Sequence, residues 1–260
     1  FARYPDGTRY LCSLDFITEY FMSLILNIET STSVCSVALS EGEEVIFERT
    51  SFEGPSHAAL LGVYVEEALD FMRSKEREPD AVAVSAGPGS YTGLRIGVSM
   101  AKGLCFGYGI PLLAVPTLGL LASTVIRSQP DAGDRLYCAM LDARRMEVYA
   151  AIYDEALRSV RDVSADVVDA DTYAAFLERG AVCFFGNGAA KCKSVITSSN
   201  AIFIDGIHPL AANMAPLAAR AFEEGRFEDV AYFEPFYLKE FHATIAKNKV
   251  LGEVVRPDVG

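Results

Sequence analysis

No run of about 18 or more apolar residues interrupts this 260-residue chain, so a membrane-spanning helix is not expected. Positive charge is also short. The 23 Lys and Arg against 35 Asp and Glu leave a formal net charge of −12. A lone RNA or DNA binder needs the opposite balance, because phosphate contacts draw on Lys and Arg, although a local basic patch stays open. No two cysteines form a Cys-x-x-Cys pair. Cys12, Cys35, Cys105, Cys138, Cys183 and Cys192 are scattered, several inside apolar runs, and read as buried free thiols of a reducing compartment rather than a disulfide framework. The three histidines, His57, His208 and His242, lie far apart and make no His-x-x-x-His pair, so no helix face offers a metal two imidazoles. Phe1 to Phe21 lacks the apolar core of a signal peptide, since Arg3, Asp6, Arg9, Asp15 and Glu19 break it. Met22 is the expected natural start, and 1–21 is left out of the fold as an N-terminal extension.

What is present is a folded protein, with 51% apolar and 22% charged residues. Leu24–Ile28, Val34–Leu39 and Val45–Phe47 read as a three-stranded meander. Leu60, Leu61, Tyr64, Val65, Ala68, Leu69 and Met72 recur at helical spacing behind Pro55-Ser56. Ala81–Ser85 and Leu112–Val115 read as buried strands, with helices over about Gly93–Phe106 and Leu118–Arg127. After Gln129–Gly133 the pattern restarts, with strands at Leu136–Leu141, Met146–Tyr153 and Val182–Phe185 and a helix at Ala212–Glu223. Glu29 in the first half corresponds to Asp142 in the second. The expected class is α/β, with mixed sheets covered by helices in two halves, 22–128 and 129–260.

The strongest local signal is Ser85-Ala86-Gly87-Pro88-Gly89-Ser90-Tyr91-Thr92-Gly93, a strand running through a glycine turn into a helix. That order suits an anion at a helix N-terminus. It fails the familiar templates, however. No Lys follows as in a P-loop, the third glycine comes one residue late for the dinucleotide fingerprint, and Tyr91 stands where a Gly-x-Ser-x-Gly nucleophile would be. A tight turn for close packing explains it equally well. Gly93, Gly97, Ala101 and Cys105 form a stripe of small residues at intervals of four, which lets another helix approach, within the same domain or from another subunit. Glu29 and Asp142 could hold Mg²⁺ beside a phosphate, or each could cap the turn it begins.

Ile25–Thr32, His57, Gly87–Gly97, Ala101–Leu104 and Asp142–Tyr149 together resemble the bacterial TsaB (formerly YeaZ) family, from Met22 to Leu251, and Glu234–Lys239 is similar to that family's C-terminal signature. The resemblance implies an actin-like, sugar-kinase and chaperone ATPase fold of two related lobes. It also implies a cytoplasmic, non-catalytic subunit in forming threonylcarbamoyladenosine beside the tRNA anticodon. That subunit pairs with the catalytic, metal-holding paralogue TsaD, is joined by the ATPase TsaE, self-associates when alone, and meets tRNA through the complex. No cofactor or metal is implied for the chain itself. Where the paralogue has its second metal-binding His, four residues after His57, this chain has Leu61. The implied partner surface is the first two helices, with His57, Leu61, Tyr64, Val65, Leu69, Gly93, Gly97, Ala101 and Cys105. Glu29, Thr30, Ser31, Gly87, Gly89, Ser90, Asp142, Gly186 and Gly188 would mark a vestigial nucleotide or phosphate site. The other reading is an enzyme, either an ATP-dependent kinase or a glycoprotease-like metalloenzyme.

Overall fold

The strand Leu24–Glu29 (β1) has every residue buried, which is why it reads as a continuous apolar run rather than an alternation. It pairs antiparallel with Cys35–Glu41 (β2), which pairs antiparallel with Glu44–Ser51 (β3). On its other side it lies parallel to Ala81–Gly87 (β4), itself parallel to Leu112–Pro116 (β5). The helices His57–Ser74 (α1) and Tyr91–Tyr108 (α2) make the two crossovers and bury Leu61, Val65, Met72, Val98 and Ala101 against one face of this sheet. The structure, a computed structural model, describes residues 22–54, 57–129 and 133–239. Cys12, His242, the 1–21 extension, Pro55-Ser56 and the tail beyond Lys239 lie outside the described residues.

The second sheet repeats the first. Arg135–Asp142 (β6), Glu147–Tyr153 (β7), Ser159–Val167 (β8), Ala181–Phe185 (β9) and Ala201–Ile204 (β10) follow one another in sequence. The orders are β3-β2-β1-β4-β5 and β8-β7-β6-β9-β10, with the same parallel and antiparallel pairings at each step. β6 therefore stands where β1 stands, and Asp142 ends its strand as Glu29 ends β1. β8 is absent from the sequence reading because Ser-Val-Arg-Asp-Val-Ser-Ala-Asp-Val is a half-polar edge strand. Its polar face is nonetheless organised: Arg161 holds Asp166 through two hydrogen bonds of 2.7 and 2.6 Å, and the Tyr173 hydroxyl donates to the same carboxylate.

The chain then crosses between halves. Thr117–Ser128 (α3) packs Leu118, Leu121 and Val125 on the second sheet while Leu120 reaches the first. Two short helices, Ala174–Leu177 (α4) and Ala189–Cys192 (α5), cover the second sheet. A 3-10 turn at Ala212–Met214 leads into Ala215–Glu223 (α6), which returns to the first sheet and packs Ala218 and Ala221 against Ile25, Ala83 and Leu113. Residues 225–239 continue as a strap over the first lobe: the Glu228 amide donates to the Leu112 carbonyl, Lys102 donates to the carbonyls of Ala231 and Phe233, and the Phe236 amide donates to Ala86. Cys35, Cys105, Cys138, Cys183 and Cys192 are all free and buried, and burial pushes Cys35 and Cys105 up to about 11, which keeps them unreactive thiols.

Candidate functional site

Between the lobes lies a cleft of about 840 Å³. Its first wall is the turn after β1 with the N-terminal end of α2. Its second is the turn after β6, with Asp142, Arg144 and Glu147. The strap closes one side with Tyr237 and Lys239.

The sequence leaves these glycines open between a vestigial phosphate site and a tight turn for close packing; in the structure the chain itself fills their space. A Cβ at Gly89 would strike the Ser31 carbonyl, one at Gly93 the Thr30 carbonyl, and one at Gly97 the Thr30 hydroxyl. The Ser90 amide donates to Ser31 at 2.6 Å, and Thr30 Oγ1 donates to the Gly93 carbonyl at 2.8 Å. The glycines thus serve close packing of the β1 turn on the head of α2. Gly87, with φ +103°, receives the strap, since a Cβ there would meet the Phe236 carbonyl. In the second lobe a Cβ at Gly186 would meet Met140 and one at Gly188 the Leu141 carbonyl carbon.

The two acidic residues part company as well. Glu29 is fully buried beneath the cleft, accepting from the Ser31 amide at 2.5 Å and from the Ser85 hydroxyl. Burial pushes its carboxyl above the usual range, against the pull of those donors, so Glu29 is a locked structural carboxyl rather than an open metal ligand. Asp142 is exposed, accepts from the Arg144 amide at 3.0 Å, and is paired with Lys191. Lys191 also donates to the Glu147 carbonyl at 2.6 Å, and Lys239 pairs with the Glu147 carboxylate. Both carboxylates of the second wall are therefore neutralised by lysines that the sequence reading did not connect to them.

His57 lies in the cleft wall, not on an outer face. Its Nε2 donates to the Thr32 carbonyl at 2.7 Å, while Nδ1 and the nearby Ser31 Oγ are buried without a partner. Four residues on, Leu61 is 1% exposed in the core. Among the described residues no three His, Cys, Asp or Glu side chains converge as a metal would need.

The partner-surface residues need the largest correction. His57, Leu61, Val65, Gly93, Gly97, Ala101 and Cys105 are all buried within their own lobe, and only Tyr64 and Leu69 reach partway out. The stripe of small residues on α2 faces its own sheet and the Thr30 turn. The outward stripe is Ser99, Gly103 and Gly107, on the opposite side of the helix at the same interval of four. A Cβ at Gly103, Gly107 or Gly62 of α1 would enter open space. Beside this stripe Ile96, Met100 and Leu104 are partly exposed, and Val63 and Phe106 stand out at 51% and 87% exposure.

Residues 52–254 match the family described as TsaD: tRNA N6-adenosine threonylcarbamoyltransferase. The chain is 30% identical over 223 residues to the tRNA threonylcarbamoyladenosine biosynthesis protein TsaB of Escherichia coli, covering 83% of this chain and 94% of that one. It is 34% identical over 129 residues to the protein of the same name from Bacillus subtilis, covering 50% of this chain and 54% of that one. Among solved structures, YeaZ from Pseudomonas aeruginosa superposes with a TM-score of 0.68 at 28% identity, over 84% of this chain and all of that chain. The two repeated sheets and this superposition give the chain the fold of YeaZ, two related α/β lobes with mixed sheets covered by helices.

Proposed function

This chain belongs to the TsaB (YeaZ) family, and from that premise we propose that it serves tRNA threonylcarbamoyladenosine biosynthesis as a non-catalytic, cytoplasmic subunit. It pairs its α1–α2 face with the transferase TsaD and holds TsaD in its working conformation, with TsaE joining the pair. The observation that carries this reading is the outward side of α2. Ser99, Gly103 and Gly107 leave the helix backbone open to close approach, and Ile96, Met100 and Leu104 border them with apolar surface. Alone, the same face is covered by a second copy of the chain.

The chemistry of the cleft supports an accessory role. The position that would need a second metal-binding histidine is the buried Leu61. Glu29 is sealed, Asp142 is spent on Lys191, and the chain's own turns occupy the glycine space. A kinase-like reading draws on the cleft volume alone, and titration of the isolated chain with Mg-ATP tests it, with micromolar binding restoring it. The role itself is tested by co-purification with TsaD and by a tRNA modification assay with each component omitted in turn. Omitting this chain should abolish modification although TsaD and TsaE are present, and the chain alone should modify nothing. Failure to pair with TsaD, or turnover by the chain alone, overturns the reading.

A further inference from the structure

Thirteen arginines lie in the described residues, and eight of them pair with a carboxylate. Of the five that do not, Arg144 lines the cleft, Arg145 follows it in the chain, and Arg95 touches the cleft-lining Tyr91 from the groove on α2, in a chain whose formal net charge is −12. Arg144 lines the cleft on the β6–β7 turn and Arg145 follows it at the tip, both exposed. Their backbones sit at φ 72° and 49°, in the left-handed region that disfavours any side chain. The turn holds them there: the Arg144 amide donates to Asp142, the Ala143 amide to the Glu147 carbonyl, and the Glu147 amide to the Arg144 carbonyl. Strain kept at two adjacent exposed arginines marks a functional position better than a folding one.

On the first wall Tyr91 lines the cleft, and the Arg95 guanidinium, from the α2 groove beside it, lies 5.3 Å from the Tyr91 ring and donates to its hydroxyl at 3.2 Å. Tyr91 in turn packs against Tyr237 of the strap, with centroids 4.6 Å apart and ring planes tilted by 37°. Lys191 and Lys239 offset Asp142 and Glu147 on the same rim, and Glu234 is the further carboxylate near Tyr237. Arg144 on one wall, with the Tyr91–Tyr237 pair lining the same cleft and Arg95 beside Tyr91, matches a charged polymer with stackable bases better than a single compact anion.

We propose that the Ala143–Met146 turn and the Arg95–Tyr91–Tyr237 cluster form a contact surface for the sugar-phosphate backbone of RNA, with Arg144 and Arg145 each holding a phosphate. The inference rests on the proposed role in tRNA modification and adds a direct tRNA contact to it. Unmodified tRNA carrying a fluorophore is titrated, by anisotropy at several salt concentrations, into the complex of the full chain with TsaD. The variants are Arg144→Glu/Arg145→Glu, Arg144→Lys/Arg145→Lys, Arg95→Glu, and Arg220→Glu on α6 as control. The double Glu variant should weaken tRNA binding by about tenfold or more and lower the salt slope by about two. Arg95→Glu should weaken it several-fold, while the Lys variant keeps the slope and Arg220→Glu changes nothing. Affinity for TsaD, by calorimetry, should not move for the Arg144 and Arg145 variants; Arg95 borders the proposed TsaD face on α2, so Arg95→Glu is titrated at saturating TsaD. An unchanged tRNA affinity and slope overturns the proposal, and so does a loss of TsaD affinity in the Arg144 and Arg145 variants, which would assign those two arginines to a protein contact. Should the wild-type chain not pair with TsaD at all, it is the proposed role that fails, and the same variants on the isolated full chain then decide the RNA surface.

Discussion

Glu29 shows how a residue that looks chemical can be structural. Its carboxyl ends β1 in full burial, with donors from the Ser31 amide and the Ser85 hydroxyl, and burial raises its pKa above the ordinary value of 4.5. The folded chain therefore holds this proton to higher pH than the unfolded chain does. The group's contribution to stability is complete below 4.5 and is lost as pH rises through the raised folded value, so near neutrality burial of the charge is a net cost. Glu29→Gln keeps an oxygen acceptor for the Ser31 amide, turns an amide donor toward the Ser85 hydroxyl, which can accept it, and removes the charge. It should unfold at a higher temperature than the wild type at pH 8, with the difference shrinking toward pH 4. A lower melting temperature at pH 8 would mean the anion itself is required. Arg145 makes the opposite case, a residue kept at the expense of stability. Left-handed backbone costs a side chain about 1–2 kcal/mol, of which glycine's extra unfolded freedom returns about 0.5–1. Arg145→Gly should thus raise the urea unfolding free energy by about 0.5–1 kcal/mol, and no gain would show the turn to be unstrained.

α2 carries two small-residue stripes, and one helix separates their meanings. Gly97 is packed on the Thr30 side chain, whereas Gly103 opens to empty space. Gly97→Leu should lower unfolding free energy by about 1–3 kcal/mol through overpacking. Gly103→Leu should leave it unchanged or raise it by up to about 1 kcal/mol, since glycine is a poor helix former. Affinity for TsaD, by calorimetry, should fall at least tenfold for Gly103→Leu; undiminished affinity would remove this face from the interface. The sequence contained both stripes, but the interval of four identifies a face without saying which way it points. Only the packing of the Thr30 turn decides that, and its contacts span more than sixty positions along the chain. Elements announced by continuous apolar runs, such as β1, β4 and β9, were legible, as was the equivalence of Glu29 and Asp142 at the ends of β1 and β6. β8 and β10 were not, because edge strands bury little, and α4 and α5 are too short for periodicity to register. Lysines 191 and 239 were invisible as partners of Asp142 and Glu147, since ion pairs between distant segments leave no local pattern.

At the scale of the molecule, two copies of one sheet topology are joined by what crosses between them. α3 touches both sheets, the Ala211 amide donates to Ser36 Oγ at 2.9 Å, and the strap runs from α6 over the first lobe to Glu147 on the second. The strap has no helix or strand of its own, so its order comes from discrete anchors. Lys102 is the central one, donating to two carbonyls, Ala231 and Phe233, at 3.1 Å each. Further along, the Phe236 amide donates to the Ala86 carbonyl at 2.7 Å, and the Tyr237 ring then packs tilted against Tyr91 in the cleft. Hydrogen bonds from a charged donor are worth about 1.5–3 kcal/mol, so losing Lys102 should loosen this segment well before the sheets respond. Lys102→Met keeps an apolar stem on α2 and removes only the donors. In hydrogen exchange, the amides of Phe233 and Phe236 should exchange about tenfold or more faster, while those of β1 and β6 stay as protected as in the wild type. Equal acceleration throughout would make Lys102 a contributor to global stability rather than a local anchor, and no change at Phe236 would leave the strap held by its aromatic end alone. Because Tyr237 rides on this segment, the same variant should also weaken tRNA binding less than Arg144→Glu/Arg145→Glu does, with its salt slope preserved.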